Sequence, residues 1–239
     1  EMDPARIEAF QAQDRYLPER CPETLVLTYA MHWPGRQRET ARGLRRTPFY
    51  QALKAKGAVY TEMQGWERPG WFAPEGVAPV HDYAFGRPSW FDHAQAEQKS
   101  AREGVVMIDY SMLGKHMVEG SDAETFLQRV STNDVSIADG RVIYSLMLNE
   151  RGGIEGDVTI ARHDKTHFMI VSAISHTRRN RDHLQHAILA NEDVIIRDVT
   201  SAHAVLALSG PLSRAVLETL VDISLSDKDF PPYSLQQFY

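Results

Sequence analysis

An α+β fold is predicted from three features of the sequence. Strand-like and helix-like segments alternate from Phe91 onward. Residues 141–148 and 154–161 flank the turn Asn149-Glu150-Arg151-Gly152-Gly153, and so read as an antiparallel hairpin. No internal repeat or low-complexity tract competes with that pattern. Hairpins interleaved with helices give mixed or antiparallel sheets with helices packed on them.

Taken in order, residues 1–80 carry few β signals and read as irregular α structure. Pro22-Glu23-Thr24 opens a short helix running to Tyr29, which Trp33-Pro34-Gly35 stops. Residues 49–56 make a better helix, with Gly57 as its C-cap. Residues 66–74, rich in aromatics and prolines, read as an extended segment pinned to a neighbouring surface. The prolines and glycines of residues 74–87 mark a domain boundary, dividing the chain into 1–80 and 81–239.

Beyond it, residues 92–103 form a helix with Asp92 as N-cap and Gly104 as stop. Residues 105–108 and 114–118 are strands. Ser121 and Glu124 form a capping box that opens a helix, and Phe126, Leu127 and Val130 give it an apolar face. After the hairpin come a strand at 168–172, a helix at 178–189, and strands at 194–199 and 204–208. A last helix begins with Pro211 at its first position.

The totals bound what the chain does. With 43% hydrophobic and 24% charged residues over 239 positions, it has an ordinary globular profile. The net charge of -6, with both signs dispersed, argues against a nucleic-acid partner, and the basic stretch 36–46 reads as a solvated loop. Cys21 is the only cysteine, which excludes an internal disulfide and fits a reducing compartment, the cytoplasm or a mitochondrial matrix. No apolar run approaches the ~20 residues needed to span a bilayer, so no membrane partner is expected. No signal-peptide pattern is read in the opening residues, and the ends, Glu1-Met2-Asp3-Pro4 and Phe238-Tyr239, read as cut from something longer.

His163, His167, His176, His183 and His186 do not meet zinc-ligand spacing, so no metal is expected. Ser111 and Ser209 lack a triad pattern, and no G-x-S-x-G run exists. Trp33, Trp66, Trp71 and Trp90 read as packing anchors.

Chemistry concentrates in residues 144–162. By period two, Ile154, Gly156, Val158 and Ile160 share one face of a strand, and Glu155, Asp157 and Thr159 the other. Aspartate is disfavoured mid-strand, so Asp157 asks for a reason. Two are open. One is a polar face in water, or an ion pair with an arginine such as Arg162. The other is a carboxylate at a pocket wall, accepting a hydrogen bond or a proton from an amine. Gly156 beside it leaves room for a ligand or another backbone.

The order Asp109-Tyr110-Ser111-Met112-Leu113-Gly114-Lys115, then Tyr144, then residues 148–157 (LNERGGIEGD), then Leu208-Ser209-Gly210-Pro211, resembles the aminomethyltransferase (T-protein) family of the glycine cleavage system. The resemblance runs from about Trp90 to Tyr239. Residues 29–34 through 66–72 resemble the linker that joins the flavin and folate domains of dimethylglycine and sarcosine dehydrogenases.

The resemblance implies a T-protein-like folate-binding domain, truncated at its C-terminus and preceded by part of an oxidoreductase linker. It implies a tetrahydrofolate-dependent module that receives a one-carbon unit from an N-methyl amine substrate and yields 5,10-methylenetetrahydrofolate. FAD would sit in an absent N-terminal domain, since no G-x-G-x-x-G fingerprint occurs here. Asp157 takes the family's catalytic position near N10 of folate, Tyr144 a pterin or aminobenzoate contact, and Leu113 a pocket wall. Gly156 stands where the T-protein usually has a second acid, which favours the dehydrogenase-fused branch. The family's Y-x-G-E-x-G segment would lie beyond Tyr239, leaving the fragment inactive alone. The alternatives are a non-catalytic regulatory protein with the same fold, or a free-standing T-protein.

Overall fold

The computed structural model describes residues 8–238; the opening Glu1-Met2-Asp3-Pro4 and the closing Tyr239 lie outside them. The chain folds as two compact units. One runs to Asp109 and takes back Leu208–Pro211; the other is Tyr110–Ala207 together with the residues from Leu212 onward.

The first unit is built on helix α1 (Tyr16–Tyr29), helix α2 (Tyr50–Ala55), a hairpin of β1 (Ala58–Met63) and β2 (Trp66–Phe72), helix α3 (Phe91–Glu103) and strand β3 (Val106–Asp109). α1 begins well before the expected start at Pro22, which lies inside it. Pro22 forgoes one ladder bond. The helix is held nonetheless through buried Arg20, which donates to Glu62 and to the Thr40 carbonyl at 3.0 and 2.9 Å.

The few β signals expected here understate the structure. The segment 66–72 is extended as predicted, but it pairs with β1 rather than lying alone. Gln64 and Gly65 both take positive φ, 52° and 77°, the two-residue turn that matches strand twist. Pro69 fits because the register slips between Val59 and Tyr60, where a missing N–H is tolerated. Gly57, at φ 88°, ends α2 with its Cα hard against the Ala73 carbonyl: a Cβ there would meet that oxygen at 2.2 Å.

Trp66 and Trp71 are buried, and Trp90 packs on the small core of Val59, Trp71 and Ala73. α3 joins this unit because Trp71 stacks on His93 at 5.7 Å and Glu97 accepts the Phe72 N–H at 2.9 Å. The 80/81 division read from composition and the division into compact units are therefore different cuts. Asp92 does not cap α3, whose N-cap is Trp90 without a side-chain bond; Gly104 ends it as expected.

The second unit holds β4 (Gly114–Glu119), α4 (Ala123–Val130), β5 (Arg141–Leu148), β6 (Ile154–Asp164), β7 (His167–Ser172), α5 (Thr177–Ala187) and β8 (Ile195–Asp198). Its five strands form one sheet in the order β5-β6-β7-β4-β8, antiparallel throughout. β9 (Leu206–Ser209) and the short α6 (Ser213–Glu218) follow. Pro211 stands two residues before α6 rather than at its first position.

The core lies on one face of this sheet. Val118, Val158, Ile160, Phe168 and Ile170 point from the strands at Phe126, Leu127 and Val130 of α4 and Leu184 of α5. All are at most 8% exposed, so the apolar face read on α4 is the one buried. The capping box is absent: Asp122 is the N-cap without a side-chain bond, Ser121 donates to Asp193, and Glu124 pairs with Arg162. That arginine, buried at the core's edge, draws Glu124 away from the helix start and also binds Asp139 at 2.7 Å.

Candidate functional site

The face of the same sheet opposite the core carries the residues read as functional. Laterally paired residues share a face. Tyr144 pairs with Thr159 and Leu146 with Asp157, so Tyr144, Leu146, Asp157 and Thr159 all project away from the core. Asp157 is exposed, as is Tyr144 at 56%.

A β-bulge lies just before the aspartate. Met147 pairs with Gly156 but Leu148 pairs with Ile154, so Glu155 is the extra residue. The slip corrects one expectation: Ile154 leaves the core face and is 62% exposed, while Val158 and Ile160 beyond the bulge are buried. A second correction concerns Gly156. The space it leaves is on the buried face, and the Asn180 side chain of α5 occupies it; a Cβ at Gly156 would meet Asn180 Oδ1 at 2.5 Å.

Asp157 and Tyr144 are brought together. The Tyr144 hydroxyl donates to Asp157 Oδ2 at 3.4 Å, long for such a bond. The Tyr144 phenol is pushed above its ordinary range by desolvation first, and then by the adjacent Asp157 carboxylate. Among the described residues no Lys, Arg or His lies within ion-pair distance of Asp157. The ion pair with Arg162 is therefore absent: that side chain points to the opposite face and is taken by Glu124 and Asp139. Period two already separates positions 157 and 162.

Leu113 stands at the same end of the sheet. Gly114 pairs with Ser172 and Ser172 with Val158, so Leu113 and Asp157 each sit one residue beyond that row. They are two strand spacings apart, about 10 Å. Leu113 is half-buried. Its turn is fastened by Lys115, 1% exposed, whose Nζ donates to the carbonyls of Ser111 and Leu113, each at 2.8 Å. Ser111 Oγ accepts the Val205 N–H at 3.0 Å, which ties the same turn to the segment before β9. Sequence reasoning read Lys115 only as part of a motif, and Ser111 as that and as a serine without a triad pattern. Their work here is to hold the turn that carries Leu113.

The hairpin tip is also built by side chains. Asn149 Oδ1 accepts the N–H groups of Arg151 and Gly153 at 3.0 and 2.9 Å, while its amide donates to Glu155 at 2.7 Å. Asn149 before a glycine pair is the signal that predicts such an Asx turn.

At the opposite end of β6, a concavity of about 680 Å³ is lined by Met117, Met169, His163, Asp164, His167 and His203, with none of the three predicted residues. Thr166 and His167 hold the Asp164 carboxyl well below the usual range. Among the described residues, no three His, Cys, Asp or Glu side chains could hold a metal ion together. Nor is any described helix long and apolar enough to cross a membrane.

Comparison with known proteins gives the following. The family model described as the GCVT N-terminal domain matches residues 49–239, and that of the FAD dependent oxidoreductase central domain matches residues 1–47. The chain is 37% identical to the 4-methylaminobutanoate oxidase (formaldehyde-forming) of Paenarthrobacter nicotinovorans, over 95% of this chain and 27% of that protein. It is 32% identical to the mitochondrial pyruvate dehydrogenase phosphatase regulatory subunit of Mus musculus, over 97% of this chain and 27% of that protein. Mitochondrial sarcosine dehydrogenase of Homo sapiens is 28% identical over 91% of this chain and 28% of that protein. The chain thus spans 27–28% of the length of these curated relatives. Among solved structures, glycine cleavage system aminomethyltransferase T from Bartonella henselae matches with a TM-score of 0.60 at 24% identity, over 73% of this chain and 43% of that one. The α+β, T-protein-like fold expected from the sequence is the one found.

Proposed function

Since the chain belongs to the GCVT N-terminal domain family, by a match covering residues 49–239, we propose that it is the tetrahydrofolate-dependent one-carbon transfer module of a dimethylglycine or sarcosine dehydrogenase-like enzyme. In this reading residues 1–80 link it to a flavin-bearing part, and residues 81–239 carry part of the folate pocket. The substrate of the intact protein is a small N-methyl amine, and the compartment the cytoplasm or a mitochondrial matrix. The observation that carries the reading is Asp157: an exposed carboxylate, beside a phenol, without a cationic partner among the described residues.

That arrangement fits a flat, amine-bearing cofactor. A carboxylate already neutralised by arginine has little left to offer a developing cation; Asp157 keeps its charge available. Tetrahydrofolate, when bound, supplies the nucleophilic nitrogens that take up the one-carbon unit. With it bound, Asp157 would stabilise positive charge on such a nitrogen and would accept the proton it sheds. The Tyr144 hydroxyl makes only a long contact of 3.4 Å to Oδ2, and its ring offers an aromatic face. Leu113, held by its Lys115-fastened turn, supplies an apolar wall. No residue of this chain is assigned to the flavin.

The test is Asp157→Asn in the full-length protein, with two readouts: tetrahydrofolate binding, and partition of the one-carbon unit between methylenetetrahydrofolate and free formaldehyde. Capture falls by about 10²-fold, with free formaldehyde rising in its place, while folate binding changes little. Unaltered capture removes Asp157 from the mechanism. A second reading, a regulatory protein without turnover, is favoured by the 32% identity to the phosphatase regulatory subunit. It predicts neither capture nor amine oxidation by the wild-type full-length protein.

A further inference from the structure

We infer that Arg179 is a positioning residue for Asp157, acting through the bulged Glu155; the inference rests on the role given to Asp157 above. A bulge leaves one residue outside the ladder and bends its strand, so the side chains that follow depend on how the extra residue is held. Here the extra residue is Glu155, two positions before Asp157, and its carboxylate has a partner on each oxygen. Oε1 accepts from Asn149 Nδ2 at 2.7 Å, which binds it to the hairpin tip. Oε2 accepts from Arg179 Nη2 at 2.6 Å, which binds it to the first turn of α5.

The next helix residue packs on the next strand residue. Asn180, 1% exposed, stands over the bare Cα of Gly156. Successive residues of α5 therefore meet successive residues of the bulge, Arg179 by an ion pair with Glu155 and Asn180 by packing on Gly156, and Asp157 is the first side chain after them. Asp157 itself has only the long contact to Tyr144 among the described residues. Its aim comes from the backbone before it rather than from partners of its own.

Arg179 is more than half exposed, and an exposed ion pair contributes little to global stability. The distance from helix to bulge is what it fixes. Loss of that constraint shifts Asp157 without unfolding the sheet, and small shifts of a catalytic group are costly in rate.

The experiment uses the full-length protein and two readouts. The first is the Tyr144 phenol titration, followed with ¹³C-labelled tyrosine and assigned with Tyr144→Phe. This phenol senses the Asp157 charge, and the reading does not require turnover. Arg179→Gln lowers the Tyr144 midpoint toward its ordinary value, and the charge swap Glu155→Arg with Arg179→Glu restores it; an unmoved midpoint in Arg179→Gln overturns the inference. The second is capture at saturating tetrahydrofolate. Arg179→Gln slows it about 10-fold with melting temperature unchanged, and adds no further loss in an Asp157→Asn background. Equal slowing in both backgrounds makes Arg179 ordinary scaffolding and also overturns the inference. Should Asp157→Asn leave capture intact while Arg179→Gln still moves the Tyr144 midpoint, the catalytic reading of Asp157 fails and the positioning stands.

Discussion

The two faces of the five-stranded sheet are made by alternate residues of the same strands, yet they are finished to different degrees. The core face is closed within the unit: Val158, Ile160, Phe168 and Ile170 lie under α4 and α5. The other face leaves Tyr144 and Asp157 exposed and Met117, Met169 and Val171 only partly buried, with Lys115 alone among these at 1% exposure. Adjacent positions such as 157 and 158 thus answer to different demands. Packing decides Val158, whereas nothing in the packing of this unit requires a carboxylate at 157. A carboxylate whose one described contact is the long one to Tyr144 contributes little to the fold.

If that contrast is right, substitutions on the two faces differ in stability far more than in position. The largest effect is expected from Phe126→Ala, which empties a fully buried site between α4 and the sheet: about 3–5 kcal/mol, read by urea unfolding. A loss below about 1 kcal/mol would show that the core face is not the closed one. Gly156→Ala comes next, at about 1–3 kcal/mol, because its methyl meets the buried Asn180 amide at 2.5 Å. Asn180→Ala in the same chain relieves part of that cost, and if it does not, Asn180 is not what limits position 156.

A third prediction concerns pH. His116 is fully buried among core residues, and burial pushes its imidazole below the ordinary value, with Asp198 opposing and Arg181 reinforcing the shift. The folded chain therefore keeps it neutral while the unfolded chain protonates it near pH 6.5. Stability from this group is complete above that pH and is lost as pH falls, by up to about 1.4 kcal/mol per unit. His116→Gln flattens the dependence of the urea midpoint between pH 7.5 and 5.5; an equally steep dependence would clear His116. The smallest effect belongs to the open face. Asp157→Asn changes stability by no more than about 0.5 kcal/mol. A larger loss would mean that the carboxylate serves the fold after all.

How much of this was legible beforehand depended on the range of the interaction. Strand β5 was read at its observed bounds because residues 141–148 carry the signal locally, and the face of α4 followed from Phe126, Leu127 and Val130. The alternation that put Asp157 opposite Val158 and Ile160 was also local. It failed at the bulge, at Ile154 and Glu155, where one extra residue shifts the phase, and a bulge is invisible to a pattern of period two. The capping box was misread because Ser121 and Glu124 find partners at Asp193 and Arg162, far along the chain. β1 was missed because Ala58–Met63 becomes a strand through pairing with β2. The roles of Asn180 and Arg179 were out of reach, since nothing near them in sequence names a glycine and a bulge on another element.

The lysine tucked beneath the Leu113 turn has a practical corollary. Its ammonium is satisfied by two carbonyls and shut away from solvent, so amine-directed acylating reagents should pass over it while the native chain modifies its surface lysines. Residue 115 would take up label only when the N-terminal end of β4 peels away. Its acylation rate is thus a built-in clock for local opening at the N-terminal end of β4.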